Sequence, residues 1–186
     1  MAMARKLALI GLTALIGVAA PPARADMLGR THIVESVRQN DVAAIKSEYL
    51  NGASMNAKTE DGKPILLFAV SLKNFEAAEF LLANGARVND RDGQNRTPLT
   101  LAAQLGDLPM VQLLIDSGAD IDRDGELHEV ALIKAVQVGA ADIAALLIKA
   151  GADVNATDGT GRTALEIARA RNAARIVALL QGAGAH

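Results

Sequence analysis

Gly85-Ala86-Arg87-Val88-Asn89, Gly118-Ala119-Asp120-Ile121-Asp122 and Gly151-Ala152-Asp153-Val154-Asn155 are one phrase written three times, 33 residues apart. Gly52-Ala53-Ser54-Met55-Asn56 is a weaker copy in the same register, and Gly184-Ala185 takes the step once more. A fixed period without insertion means that one supersecondary unit is stacked, because an added residue would shift one layer against the next. Apolar triplets precede three of the glycines: Phe80-Leu81-Leu82, Leu113-Leu114-Ile115 and Leu146-Leu147-Ile148. A second series keeps the same spacing at Asn40, Lys73, Gly106, Gly139 and Asn172. The glycines mark places where a helix stops in the left-handed conformation, which glycine adopts without a Cβ penalty and asparagine tolerates. Lys73 is the odd member.

Helix starts fall in the same frame. Thr97-Pro98 sets a hydroxyl N-cap ahead of a proline at the first helical position, and Thr163-Ala164-Leu165-Glu166 is a capping box in which Glu166 reaches back to the Thr163 amide. Asp41, Asn74 and Asp107 are placed to cap the second helix of their units. A unit therefore reads as turn, short helix, tight bend and longer helix. The expected fold class is all-α, a solenoid of about five helix-turn-helix units with projecting turns.

This motif resembles the ankyrin repeat, whose pattern is T-P-L-H-x-A-A-x-x-G followed by V-x-L-L-L-x-x-G-A-D-V-N. The nearest copy is Thr97-Pro98-Leu99-Thr100-Leu101-Ala102-Ala103, with Val111, Leu113, Leu114 and Gly118 after it. The resemblance covers the chain from Asp26 onward and divides it into repeats 26–58, 59–91, 92–124, 125–157 and 158–186. The family histidine is replaced by Val34, Leu67, Thr100, Ile133 and Glu166, which implies a thinner hydrogen-bond network between layers. The first unit keeps little of the pattern, with Thr31-His32-Ile33-Val34 and Ser47-Glu48-Tyr49 where apolar residues are expected.

Residues 1–25 read as a secretory signal peptide. Arg5-Lys6 gives a basic start, Leu7 to Ala20 an apolar run, and Ala23-Arg24-Ala25 a small-x-small cleavage site. The run is 14 residues long. A membrane span needs roughly 18 or more, and Pro21-Pro22 ends the run early, so no span is expected after cleavage. Cleavage after Ala25 starts the mature chain at the first residue of the first repeat. The absence of cysteine agrees with export of a repeat array, which is stabilised by stacked interfaces rather than disulfides. Export of a helical repeat protein points to a bacterial periplasm, with secretion outside the cell as the alternative.

Losing Arg5, Lys6 and Arg24 takes the basic residues from 19 to 16 against 21 acids, so the formal charge moves from −2 to −5. No basic patch suggests a nucleic-acid partner, and Arg169, Arg171 and Arg175 read as the solvated face of the last helix. Phe68, Phe75, Phe80 and Tyr49 are the aromatics of a core otherwise filled by Leu, Ile, Val and Ala. Catalytic constellations are missing: there is no thiol, and His32, His128 and His186 fall on a cap, a turn and the last residue. His128 with Glu126 and Glu129 could hold a metal, but His128 occupies the turn place of Gly62, Asn95 and Gly161. Asp158-Gly159-Thr160-Gly161 looks phosphate-friendly yet follows no parallel strand. No enzyme activity, metal or cofactor is expected.

What remains is a surface. The resemblance implies that the turns project as fingers and the short helices line a concave face, where the family binds proteins. The projecting residues are Glu60, Asp61 and Lys63; Arg91, Gln94 and Arg96; Asp124, Glu126, Leu127 and Glu129; Thr157, Thr160 and Arg162. Behind them Leu72, Leu105 and Val138 form a column, read either as an apolar binding stripe or as packing between neighbouring short helices. The expected function is a monomeric, non-catalytic scaffold or inhibitor in the bacterial periplasm that holds another protein on its concave face. The alternative is a structural or stress-protective envelope factor supporting another exported protein such as a redox enzyme.

Overall fold

Three left-handed residues in each of the second, third and fifth repeats turn the chain back on itself. In the third repeat they are Asn95 (φ +62°) in the projecting turn, Gly106 (+67°) in the helix bend and Gly118 (+82°) at the end of the second helix. The computed structural model describes residues 25–125 and 130–186. The described helices are α1 (Ala25–Arg38), α2 (Val42–Leu50), α3 (Ile65–Ser71), α4 (Phe75–Ala83), α5 (Pro98–Gln104), α6 (Leu108–Asp116), α7 (Ala131–Val138), α8 (Ala141–Lys149), α9 (Ala164–Ala170) and α10 (Ala174–Gly182). Odd-numbered helices pack on one another as an inner row and even-numbered ones as an outer row, each pair joined by its bend. Among the described residues there are no strands, and the all-α repeat solenoid read from the sequence is the fold observed.

The 33-residue period reappears as columns of buried side chains. Leu66, Leu99, Leu132 and Leu165 are at most 2% exposed, and Leu81, Leu114, Leu147 and Leu180 are fully buried. Ala69, Ala102, Ala135 and Ala168 let the inner helices approach closely, because a methyl keeps the backbones near. At the last layer three columns turn polar. Leu67, Thr100 and Ile133 give way to exposed Glu166, Val70, Ala103 and Val136 to exposed Arg169, and Leu82, Ile115 and Ile148 to exposed Gln181.

Caps sit largely where the sequence puts them. Thr97 and Thr163 each take part in a capping box, with Thr100 and Glu166 as the returning side chains. Asp41 and Asp107 accept from the amides of Ala44 (3.0 Å) and Met110 (3.1 Å). Asn74 departs from the expectation. Its amide nitrogen reaches the preceding layer and donates to the Val37 carbonyl at 2.6 Å, a bond that the donor-less carboxylates of Asp41 and Asp107 could not make. Lys73 stands at φ +58° where other bends carry glycine or asparagine. A side chain in that region costs about 1 kcal/mol.

Two further expectations are corrected. Tyr49 is not a core aromatic: it is 39% exposed and meets Phe80 edge-on at 6.1 Å. The first unit has no turn before its inner helix, because α1 runs 14 residues against 7 for α3 and α5. Thr31 lies inside α1, whereas Thr97 and Thr163 in the same register are caps.

Bonding between layers follows a ladder rather than the family histidine. The side-chain oxygens of Asn56, Asn89, Asp122 and Asn155 accept from the amides of Arg87 (2.8 Å), Asp120 (3.0 Å), Asp153 (3.0 Å) and His186 (3.3 Å). Each rung ties the end of one repeat to the same place in the next.

Candidate functional site

The fingers are built by carboxylates. In the third, Asp92 Oδ1 accepts from the amides of Gln94 and Arg96 (both 3.0 Å), while Oδ2 takes Nε (2.9 Å) and Nη2 (2.7 Å) of Arg96. The fifth repeats this arrangement: Asp158 accepts from the Thr160 amide (2.9 Å) and from the amide (3.0 Å), Nε (3.0 Å) and Nη2 (2.8 Å) of Arg162. A bidentate guanidinium and two amides fix the turn to its own aspartate. In the second finger Thr59 takes the aspartate's place, accepting the Lys63 amide at 3.0 Å without an ion pair. Bridges between Lys58 and Pro64 and between Thr157 and Thr163 close two of the finger bases.

These bonds set the acidity of the carboxylates. Donation by the Thr160 hydroxyl holds Asp158 far below the usual carboxylate range, outweighing the effect of a side chain only 2% exposed. Burial pushes Asp92 upward, but the guanidinium and amide of Arg96 together outweigh it and its carboxyl is lowered. Asp61 is lowered by the Thr59 hydroxyl and Glu76 by the Asn40 amide. The amides of Thr160 and Arg162 are bound to the Asp158 carboxylate and that of Gly161 to the Asp158 carbonyl, so these donors are committed within the finger rather than to a phosphate.

The candidate binding residues fall into distinct places. Glu60, Asp61 and Gln94 are exposed at finger tips, and Lys63 is half-buried beside them. Arg96 is committed to Asp92, and Arg91 Nη2 donates to Asp124 of the next finger at 2.7 Å, so both act in holding fingers rather than in projecting from them. Thr157, Thr160 and Arg162 are exposed on the fifth finger, although Arg162 pairs with Asp158. Glu126, Leu127 and Glu129, together with His128 and the metal site considered for it, lie outside the described residues. Among the described residues no three acidic or histidine side chains gather to hold a metal. Leu72 and Val138 are 40% and 45% exposed and Leu105 is half-buried against the core. All three close the inner helices at the bend end, away from the fingers.

Between fingers and bends the inner face carries Phe68, only 9% exposed, with the Arg38 guanidinium 5.2 Å and the Lys63 ammonium 5.9 Å from its ring centroid. In register with Phe68 stand Leu101, Lys134 and Ile167, all buried. Sequence reading missed this column because the side chains that set it apart come from three elements.

The sequence carries two Asn-x-Thr glycosylation triplets, Asn95-Arg96-Thr97 and Asn155-Ala156-Thr157, so a missing glycosylation site is no argument for bacterial export. Both asparagines have structural partners: Asn95 donates to the Gly125 carbonyl (3.1 Å) and Asn155 accepts from His186. No described helix is long and apolar enough to cross a membrane.

A family model described as ankyrin repeats (3 copies) matches residues 32–125, and one described as ankyrin repeats (many copies) matches residues 121–168. No curated protein matches the chain. With 33-residue units, paired helices, projecting fingers and these matches across most of its length, the chain belongs to the ankyrin-repeat family.

Proposed function

We propose that this chain is a non-catalytic scaffold or inhibitor of the bacterial periplasm that holds one partner protein between its finger tips and inner helices. Ankyrin repeats mediate protein–protein contact, which supports the general reading. The observation that carries it for this chain is the division of labour in the fingers. Their bases are held by internal clamps, while Glu60 and Gln94 stand exposed at the tips with side chains that have no partner among the described residues. Tips preorganised in this way meet a partner without first losing loop entropy.

Export is supported by the basic start, the apolar run and the Ala23-Arg24-Ala25 site. Intact-mass measurement on the native protein should give an N-terminus at Asp26, and a membrane-held chain retaining Met1 would sink the periplasmic reading. Binding is tested with a partner recovered from envelope extract and titrated calorimetrically. Glu60→Lys with Gln94→Lys should weaken it by about tenfold or more, while Gln112→Ala on the outer helix α6 should leave it unchanged. Unaltered affinity in the finger variant would overturn the proposed contact surface.

A further inference from the structure

Two asparagines of the array are followed by glycine, Asn51-Gly52 at the end of α2 and Asn84-Gly85 at the end of α4. They stand in the same register of the 33-residue period. Each asparagine closes its helix before a left-handed glycine, φ +91° at Gly52 and +90° at Gly85. Each glycine amide donates back into its helix, Gly52 to the Tyr49 carbonyl (3.0 Å) and Gly85 to the Leu82 carbonyl (3.2 Å). In sequence and local backbone the two sites are copies.

Their surroundings differ. Asn84 is half-buried, and its Nδ2 donates to the Phe80 carbonyl at 2.8 Å. The preceding layer also holds the residues that follow it: Asn56 Nδ2 donates to the Gly85 carbonyl (3.2 Å), and Asn56 Oδ1 accepts from the Arg87 amide (2.8 Å). Asn51 has none of this. Its side chain is exposed and without a hydrogen-bond partner among the described residues, and no described layer lies before the first repeat to place a rung on Gly52. A layer stacked on one side opens locally more often than one held on both.

We propose that Asn51 is a modification site, converted spontaneously to aspartate and isoaspartate through attack by the Gly52 amide, while the Asn56 rung protects the equivalent Asn84. When the turn opens, hydroxide removes the Gly52 amide proton and the nitrogen adds to Asn51 Cγ, unobstructed because glycine has no Cβ beside it. The new N–Cγ bond forms as the Cγ–Nδ2 bond breaks. Nδ2 leaves as ammonia with a proton taken from water, which restores the hydroxide. Water then opens the cyclic imide, giving aspartate by cleavage at the side-chain carbonyl and isoaspartate by cleavage at the main-chain carbonyl. Either product sets a carboxylate at the C-terminus of α2, where the helix dipole opposes it. Isoaspartate also adds a methylene to the main chain inside the turn that the Ala53 amide closes on the Glu48 carbonyl at 2.9 Å.

The test holds the purified chain at mildly alkaline pH, folded or in strong urea, and follows both sites by mass spectrometry. Cleavage after lysine and arginine puts Asn51 in the peptide 47–58 and Asn84 in the peptide 74–87, and fragment spectra separate them from Asn56 and Asn74. In the folded chain Asn51 should convert about tenfold or more faster than Asn84, because further hydrogen bonds hold the latter. In urea the two should convert at similar rates. Asn56→Ala should speed Asn84 by about threefold or more. Equal rates in the folded chain, a faster Asn84, or an Asn51 that converts only in urea overturns the site. An Asn84 rate unmoved by Asn56→Ala overturns the protection by the rung. Should that variant fail to fold, the folded and urea rates of the unaltered chain still decide the site.

Discussion

Replacing Asp92 with alanine removes one acceptor from four donors. Two are the amides of Gln94 and Arg96 at 3.0 Å, and two are the guanidinium nitrogens of Arg96 at 2.9 and 2.7 Å. The carboxylate side chain is 4% exposed and that of Arg96 21%. Each amide bond is worth roughly 0.5–1.5 kcal/mol net, and water recovers part of it once the turn opens. The ion pair, on a partly exposed arginine, adds only about 0.5–1 kcal/mol after screening. Asp92→Ala should therefore cost about 2–3 kcal/mol. Asp92→Asn, which keeps an oxygen for the amides but sets an NH2 donor against the Arg96 guanidinium where Oδ2 accepted, should cost about 1–2 kcal/mol. Urea unfolding gives the totals, and native-state hydrogen exchange at the Gln94 and Arg96 amides shows whether the finger opens locally. Equal losses in the two variants, or an unmoved midpoint in both, would show that the carboxylate does not hold the finger.

Gly118→Val should destabilise the array by about 1–3 kcal/mol. A Cβ there meets open space, so the whole cost is the backbone at φ +82°, and Gly118→Asn should recover much of it in thermal melts. Leu114→Ala empties a fully buried position in the third layer and should cost about 2–5 kcal/mol by urea unfolding. Asp92 and Asp158 both titrate below the ordinary value of 3.8 in the folded state, so the stability they confer is complete above that value. It falls away progressively as pH drops from that value towards their depressed folded values and is gone below them. Carboxyl-carbon NMR should place the Asp158 midpoint under 3.8, and an ordinary or raised midpoint would contradict the Thr160 and Arg162 bonds.

The period, the left-handed residues and most caps were legible because each is written within a few neighbouring residues. Gly118 announces a helix end by its own backbone freedom, and Thr163 with Glu166 announces a helix start across a single turn. The ladder was not legible in the same way. Asn56, Asn89, Asp122 and Asn155 stood in the quoted phrase, but their partners lie 31 residues further on and become neighbours only when layers stack. Finger arginines misled for a related reason. Arg96 is charged and sits in a turn, so it reads as solvated, and only the buried carboxylate of Asp92 beneath it turns it inward. The Leu72, Leu105 and Val138 column was found by spacing alone, which gave the register but not the end of the helix on which it lies.

The rungs from Asn56 to Asn155 tie each layer only to the next, which arranges the repeats mechanically in series. Tension applied between the two ends is carried in full by every interface between layers, each rung sharing it with the buried columns and the other bonds of its own interface, so the strongest interfaces lend nothing to the weakest. The chain should then lengthen by releasing whole repeats one after another, and a partner bridging two layers would strengthen only the link it spans. The rung at the C-terminal end, from Asn155 to the last residue at 3.3 Å, is the longest of the four and the natural place for such peeling to begin.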